Sequence, residues 1–285
     1  DDSIADYTEN FRTGTTTVRN VSVNFYGDGT KRADQADPDN DALHHSTTYK
    51  TDNVSAISDA KRRSITFFDA HLGKGEEIAD YSLNFRNEGA IVRTASVNFY
   101  SGNTRAGAIS DPDAVLSKSA SFRLQSMIGT APVTLADLTA SIGLARIGHA
   151  TLFKGTELLG QRTSMTVFAG EEAIADYTLN YRAATNTVRS TSVNFYGEDK
   201  LRATDPSATS EAPLAMSVSF RGDATLGNLA AVNKDSFEVT KPLPSGAAPD
   251  TKPEVVAKRT SATHFFGDDS IADYTENFRT GTTTV

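Results

Sequence analysis

The residues with the clearest capacity for chemistry are carboxylates at alternate positions. Asp37, Asp39 and Asp41 lie in the segment DPDND, and alternating carboxylates are typical of calcium-binding loops. The EF-hand series is incomplete, because no glycine lies at its sixth position and Thr48 lies at its twelfth. The sequence therefore predicts no cofactor other than calcium, for which Asp37, Asp39 and Asp41 are the candidate ligands.

A second acidic group recurs just before or within each copy of the phrase IADY. Its members are Asp1, Asp2, Asp6; Glu76, Glu77, Asp80; Glu171, Glu172, Asp176; and Asp268, Asp269, Asp273. Two interpretations stay open for this group. The carboxylates bind a hard cation such as calcium, or they are charges beside a strand that keep sheet edges from pairing wrongly.

Histidine and serine, the usual catalytic residues, show no catalytic or metal-ligand spacing. The five histidines are His44, His45, His71, His149 and His264. Neither a His-Glu-x-x-His sequence nor a nucleophile elbow occurs. The histidines are therefore interpreted as surface or strand residues, and the chain is not expected to be an enzyme.

Composition excludes several classes of partner. The 285 residues carry a formal net charge of −8, and lysine and arginine form no cluster along the sequence, which argues against nucleic-acid binding. No apolar run approaches the roughly 18 residues of a membrane span. Cysteine is absent, so disulfides and thiolate metal sites are excluded.

The chain is built from repeats, which must position any functional residue. The phrase IADY begins at Ile4, Ile78, Ile174 and Ile271, and VNFY begins at Val23, Val97 and Val193. Residues 4–26 and 174–196 share 16 of 23 positions without a gap. Self-similarity at this spacing predicts a repeat architecture.

The spacing of these phrases predicts the domain organisation. We expect unit 1 at residues 1–73, unit 2 at 74–170 with an insertion at about 124–160, and unit 3 at 171–267 with an insertion at about 222–257. Residues 268–285 repeat residues 1–18 letter for letter. The three units thus form a super-repeat of 267 residues, and residues 268–285 are interpreted as the first strand of the next one.

Hydrophobic periodicity predicts that each repeated block is a strand. Ala5, Tyr7 and Phe11 alternate with polar residues, which is the period of a β-strand. A short polar turn containing Gly14 then leads to the second block, which indicates a hairpin. The predicted fold is all-β, with tandem four-stranded antiparallel units, three per super-repeat, packed in series as a fibre-like array.

Two local features extend this picture. Thr134 is expected to cap a small helix with Leu135, Leu138 and Ile142 on one side, inside the insertion of unit 2. On the polar face of the first strand, two interpretations stay open for carboxylates such as Asp6. They pair with arginines such as Arg12 of a neighbouring unit, or they are simply solvated.

Long, near-identical tandem repeats resemble those of giant surface proteins, adhesin stalks and matrix fibres of bacteria. The resemblance implies a structural protein of an extracellular or cell-surface filament whose partner is itself. We expect its repeats to propagate by contacts between neighbours or by a shared strand. The residues predicted to carry this self-assembly are Ile4, Ala5, Tyr7, Phe11, Ile271, Tyr274 and Phe278.

Two alternatives to the filament stay open. An adhesin stalk or ligand-binding module would display the two insertions as recognition loops on a β scaffold. A closed ring of blades also suits four-stranded units. Three blades are few for such a ring, and the second copy of the first strand would compete with the original for one position.

Overall fold

A computed structural model describes residues 4–86, 91–128, 131–224, 228–245, 251–267 and 270–279. The acidic residues Asp1, Asp2, Asp268 and Asp269 lie outside this part of the chain. The structure divides into two compact units, Asp1–Arg162 and Thr163–Val285. The boundary between them falls inside one long strand, Glu157–Ala169.

The first compact unit consists mainly of antiparallel strands joined in sequence order. Strands β1 to β6 each pair with the strand that follows in the sequence. They are β1 Tyr7–Phe11, β2 Val18–Tyr26, β3 Leu43–Tyr49, β4 Arg62–Asp69, β5 Ile78–Phe85, β6 Val92–Tyr100 and β7 Leu116–Leu124. After β7 come a small hairpin, β8 Met127–Ile128 and β9 Ala131–Pro132, then helix α1 Leu135–Gly143, β10 Thr151–Lys154 and β11 Glu157–Ala169. Strand β10 pairs with the start of β11.

The second compact unit begins within β11 and has the same kind of antiparallel pairing. Its strands are β12 Ile174–Tyr181, β13 Val188–Tyr196, β14 Leu214–Gly222, β15 Glu238–Thr240, β16 Val255–Phe266 and β17 Ile271–Asn277. The hydrogen-bonded order is β11-β12-β13-β14-β16, with β15 and β17 both pairing with β16. The prediction of an all-β, antiparallel chain is therefore confirmed.

The repeated phrases occupy equivalent registers. The tyrosine of IADY lies opposite the first valine of VNFY in three hairpins, as the pairs Tyr7–Val23, Tyr81–Val97 and Tyr177–Val193. Each hairpin then contains a β-bulge, in which the second strand carries one extra residue. That extra residue is an arginine each time: Arg19, Arg93 and Arg189.

One face of the strands forms the core, and the segments after the third strand of each repeat cover it. In the first compact unit Leu83, Val97 and Phe122 are fully or almost fully buried in one cluster with Leu138 and Ile142 of α1. In the second compact unit the insertion contributes the buried residues Leu229, Val232 and Val239. The insertions therefore supply the apolar cover that a single sheet face needs.

Helix α1 confirms the predicted helix. The Thr134 hydroxyl accepts a hydrogen bond from the Asp137 amide at 3.2 Å, and the Asp137 side chain accepts one from the Thr134 amide, which completes a capping box. Leu138 and Ile142 are buried as expected, whereas Leu135 is 39% exposed because it lies in the first turn. No helix in the described ranges is long and apolar enough to cross a bilayer.

The polar face carries a series of hydroxyl contacts between neighbouring strands. Ser22 lies 2.9 Å from Thr48, and Thr66 lies 2.9 Å from Ser82, measured between hydroxyl oxygens. Further pairs of the same type are Ser96–Ser121, Thr166–Thr178, Ser192–Ser219 and Thr263–Thr275. Cross-strand hydroxyl pairs of this kind stabilise a sheet on its solvent side.

An aromatic row crosses four consecutive strands on the apolar face. Phe25 stacks on His45 with centroids 4.6 Å apart, and Phe67 stacks on Tyr81 at 4.7 Å. His45 and Phe67 lie 5.5 Å apart between these two stacks. The place of His45 is taken by Lys118 opposite Phe99 in the next repeat and by Met216 opposite Phe195 in the third.

The position of His45 makes stability depend on pH. Burial, reinforced by the charges of His44 and Arg62, lowers the pKa of His45 to about 4. In an unfolded chain histidine titrates near 6.5. Between about pH 6.5 and 4 the unfolded chain therefore binds a proton that the folded chain does not bind. Stability is full above this window and falls as the pH drops through it.

Because of His45, we expect the free energy of unfolding to be about 1–2 kcal/mol lower at pH 4.5 than at pH 7, after allowance for the partial exposure of this side chain. Urea unfolding at a series of pH values measures the effect. His45→Met, which installs the residue of the third repeat, is the matched variant and should remove this part of the pH dependence. Equal pH slopes for the parent and His45→Met would contradict the assignment.

Candidate functional site

The residues predicted for self-assembly lie on or beside two edge strands, β1 and β17. Ile4 and Ala5 precede β1, and Phe278 follows β17. The others lie on the strands themselves: Tyr7, Phe11, Ile271 and Tyr274. Within the described part of the chain, β1 pairs only with β2, and β17 pairs only with β16. Each strand thus presents one unpaired edge.

The same tyrosine has a different environment when its strand has neighbours on both sides. Tyr7 on β1 is 42% exposed and Tyr274 on β17 is 52% exposed. Their equivalents Tyr81 on β5 and Tyr177 on β12 are 7% and 6% exposed, and those strands pair on both edges. Covering one such tyrosine removes roughly 80 Å² from water and contributes about 1–2 kcal/mol.

Strand β17 is nevertheless well attached on its paired side. Tyr274 stacks on His264 with centroids 4.4 Å apart. The Arg259 guanidinium lies over the Phe278 ring at 4.6 Å and over Phe237 at 5.0 Å. An equivalent contact holds β5, where Arg62 lies over Phe85 at 5.2 Å. An arginine of the preceding strand, on β4 or on β16, thus contacts the aromatic residue at the end of β5 or just after β17.

Each IADY–VNFY hairpin is closed by an ion pair between an aspartate and an arginine, here called the clamp. Its aspartate belongs to IADY and its arginine follows VNFY by five or six residues. The three clamps are Asp6–Arg32, Asp80–Arg105 and Asp176–Arg202. In each, the arginine Nε donates to Oδ1 of the aspartate, at 2.7, 2.7 and 2.6 Å, while Nη2 donates to Oδ2. Two parallel bonds of this kind fix both direction and distance.

A pair of neutral hydrogen bonds accompanies every clamp. In the second hairpin the Tyr100 hydroxyl and the Asn98 amide both donate to the carbonyl oxygen of Ala79, at 2.5 and 3.1 Å. Burial raises the pKa of Tyr100 to about 12, so its hydroxyl keeps the proton that it donates. The equivalent donors in the other hairpins are Tyr26 and Asn24 to Ala5, and Tyr196 and Asn194 to Ala175.

The clamps also anchor the insertions. Arg105 Nη1 donates to the carbonyl oxygen of Ile142 in α1 at 2.8 Å, and Arg202 Nη1 donates to that of Val232 at 2.8 Å. A clamp that anchors an insertion is also more buried. The side chain of Asp176 is 3% exposed, whereas that of Asp6, in the repeat without an insertion, is 36% exposed. Arg32 lowers the pKa of Asp6 through its hydrogen bond, so Asp6 is ionised at neutral pH.

Sequence reasoning missed the clamp arginines. The sequence offers an arginine such as Arg12 of a neighbouring unit as the partner of Asp6, whereas the structure pairs Asp6 with Arg32. A usable signal exists, since an arginine recurs five or six residues after every VNFY. It is weak because the intervening loops differ in sequence, and because a pairing across a loop has no periodicity to reveal it.

The predicted calcium residues lie in the loop of residues 27–42, between β2 and β3. Asp37 accepts hydrogen bonds from the Asp39 amide at 2.9 Å and from the Asn40 side chain at 2.7 Å. Asp41 accepts from Lys31 Nζ at 2.8 Å. Among the described residues, no three His, Cys, Asp or Glu side chains are grouped as a metal site. Calcium binding at Asp37, Asp39 and Asp41 stays a prediction, and donors of the loop itself already contact two of these carboxylates.

The clamps generate a prediction about stability. Asp176→Ala leaves the Arg202 guanidinium without its carboxylate in a largely buried place, and we expect a loss of about 3–5 kcal/mol in unfolding free energy. Asp6→Ala, the matched change at a more exposed clamp, should cost about 1 kcal/mol or less. Urea unfolding measures both. Similar losses for the two variants would show that burial does not govern the clamps.

A separate measurement addresses calcium. If Asp37, Asp39 and Asp41 bind the ion, millimolar calcium should raise the melting temperature by mass action, and a chelator should reverse the shift. The side chain of Asp39 makes no hydrogen bond within the loop, so Asp39→Asn should leave the loop intact and reduce the shift caused by calcium. An unchanged melting temperature in calcium and in chelator would remove calcium from this loop.

Comparison with protein-family models, with curated proteins and with solved structures finds no match for this chain. The features of the chain that bear on its function are its own repeats, its clamps and its two edge strands.

Proposed function

We propose that this chain is a structural protein of an extracellular or cell-surface filament or matrix fibre. In this proposal tandem four-stranded units pack in series and each unit completes the next. The four strands are β1–β4 in the first unit, β5–β7 with β11 in the second, and β12–β14 with β16 in the third. Strand β17 is then the first strand of a fourth.

The observation that carries the proposal is the register of β17. Tyr274 on β17 lies opposite His264 on β16, as Tyr81 lies opposite Phe67 and Tyr177 lies opposite Val167. All three pairings have a β-bulge at the next position. Strand β17, which repeats the sequence of β1, thus pairs with β16 in the same register in which β5 pairs with β4 and β12 pairs with β11. This equivalence is what an open-ended series requires.

The pairing also bears on how the array grows. A separate copy that donated its β1 to β16 would have to displace β17, because both strands fit the same edge. One long repeated polypeptide needs no such exchange. The covalent array is therefore favoured, and assembly from joined subunits is retained as the form in which β17 is released and replaced.

The proposed location of this chain is outside the cell. It is supported by the resemblance of long tandem repeats to those of surface and matrix fibres. The absence of cysteine is compatible with export, since no thiol has to be kept from mispairing. Self-association through repeated β units is also the property by which a matrix fibre extends.

Electron microscopy of a chain with two super-repeats in tandem tests the axial array. We expect its long dimension to exceed that of the 285-residue chain by one constant increment, and a third super-repeat should add the same increment. Closed rings, or separate compact bodies without a fixed spacing, would contradict packing in series.

A substitution provides the control. Tyr274→Ala in the 285-residue chain removes a half-exposed ring and should cost about 1 kcal/mol. In the tandem chain the same tyrosine acquires a second neighbouring strand, and the cost should rise to about 3 kcal/mol. Equal costs in the two chains would mean that no neighbour covers the edge.

One observation favours a second function, that of an adhesin stalk or ligand-binding module. The insertion that contains α1 forms a cavity of about 560 Å³ lined in part by Leu144, His149 and Phe153. Leu144 is 69% exposed and Phe153 is 49% exposed. Exposed apolar side chains beside a cavity are a feature of recognition surfaces. A filament that displays this insertion would combine both functions.

A further inference from the structure

A basic cleft lies on the polar face of the first compact unit, at the end where β1 turns into β2. Four cationic side chains line it, and Asn20 and Thr48 add polar groups. The cations are Arg12, Arg19, Lys50 and Arg63. The cleft is open and measures about 670 Å³. Such a concentration of positive charge is notable in a chain whose net charge is −8.

Two β-bulges place arginines in this cleft. On β2, Asn20 pairs with Asn10 and Val18 pairs with Phe11, so Arg19 is the extra residue. On β4, Ser64 pairs with Thr48 and Arg62 pairs with Tyr49, so Arg63 is the extra residue. A bulge alters the direction of the side chain at the extra position. Both arginines consequently line the same cleft as Lys50, which follows β3.

Three of these cations lack a carboxylate partner. Within the described residues, Arg12, Arg19 and Lys50 form no ion pair, and all three are exposed. Placing like charges close together raises the free energy of the chain unless an anion binds among them. The cleft is therefore suited to a ligand that carries several carboxylate groups.

An acidic surface lies at the opposite end of the same strands, on the loop of residues 27–42. Four of its aspartates are exposed and form no ion pair with any described cation: Asp28, Asp34, Asp37 and Asp39. Hydrogen bonds from Thr30 and Asn40 lower the pKa of Asp28 and of Asp37, respectively. The loop is therefore strongly anionic at neutral pH.

The two charged surfaces do not neutralise each other within one copy. They are separated by the length of β2, which has nine residues, Val18–Tyr26. At about 3.3 Å per residue this separation is roughly 25–30 Å, and the Debye length in physiological salt is about 8 Å. Each surface is available to another molecule.

We propose that the basic cleft binds the acidic loop of a second copy of this chain, so that copies associate along the direction of their strands. This contact is lateral with respect to the series of units and goes beyond the filament proposed above. Charge complementarity selects the partner and its orientation.

Residues that could make the same contact recur in the second and third repeats. At positions equivalent to Arg12, Arg19 and Lys50 the second repeat carries Arg86, Arg93 and Arg123, and the third carries Arg182, Arg189 and Arg221. The loops equivalent to the acidic loop carry Asp111, Asp113, Glu198, Asp199, Asp205 and Glu211. Single exposed ion pairs are weak, whereas linked copies of one weak contact bind with a much higher effective concentration.

Other polyanions fit the cleft less well. Single-stranded nucleic acid is bound through aromatic side chains that stack on its bases, and none of the residues that line the cleft is aromatic. The acidic loop, by contrast, supplies the required carboxylates on the same molecule and in every repeat.

Sedimentation velocity of the 285-residue chain at 20 mM and 500 mM NaCl provides the test. We expect self-association at low salt that is lost at high salt. Arg12→Glu with Arg19→Glu (the cleft variant) removes the net positive charge of the cleft, and Asp34→Lys with Asp39→Lys (the loop variant) removes the net negative charge of the loop's four unpaired aspartates. These four side chains make no hydrogen bond with any described residue, so the variants should melt as the parent does. Each double variant should weaken association about tenfold.

An equimolar mixture of the two double variants is the decisive sample. The acidic loop of the cleft variant and the basic cleft of the loop variant are both unaltered, so the mixture should associate more strongly than either double variant alone. Lys74→Glu with Lys252→Glu, which makes the same change in net charge as the cleft variant at two other cations, should leave association of the parent unchanged.

Three outcomes would overturn the proposal. They are a parent that stays monomeric at low salt, a mixture that does not associate, and a control variant as defective as the cleft variant. Where the first of these outcomes is accompanied by binding of polyglutamate, the occupant of the cleft is another polyanion. Growth in length with added super-repeats does not involve these charges, so the filament proposal and this one fail independently.

Discussion

The pairing of strand edges is the constraint on which the rest of this structure depends. A strand has two edges of backbone N–H and C=O groups, and each edge needs a partner or water. Strands β5 and β12 are paired on both edges, and their IADY tyrosines are almost completely buried. Strands β1 and β17 have the same sequence motif but one described partner each, and their tyrosines are about half exposed. The same side chain thus contributes to a core only where a neighbouring strand exists.

A second constraint is the need to cover one face of a single layer of strands. In the second and third repeats an insertion covers that face, and the clamp arginine binds a carbonyl of the insertion. The first repeat has a shorter connection after β3, and Val54 and Ile57 of that connection pack against Val21, Val23 and Tyr49. Its clamp between Asp6 and Arg32 is correspondingly more exposed. Loop length and burial of the ion pair therefore change together.

Much of the fold could be predicted from the sequence, because short-range periodicity determines it. Alternation of apolar and polar residues located the strands, and Thr134 located the start of α1. Contacts across loops were not accessible in this way. The partner of Asp6 lies 26 residues away on a loop of variable sequence, and the bulges that carry Arg19 and Arg63 depend on registers that no local pattern specifies. Calcium binding at Asp37, Asp39 and Asp41 is likewise not decided by spacing, since Asp37 and Asp41 also accept hydrogen bonds within their own loop.

The row of side chains on the apolar face has a consequence for folding of a repetitive chain. Nearly identical repeats are prone to pair with the wrong copy while the polypeptide is being synthesised. Here the place opposite the VNFY phenylalanine holds His45, Lys118 or Met216 in turn. An aromatic stack, an ammonium group and a thioether do not substitute for one another at equal free energy. The three hairpins consequently differ in the side chain that an incoming strand meets, and this difference favours the native order of the strands over an exchange between repeats.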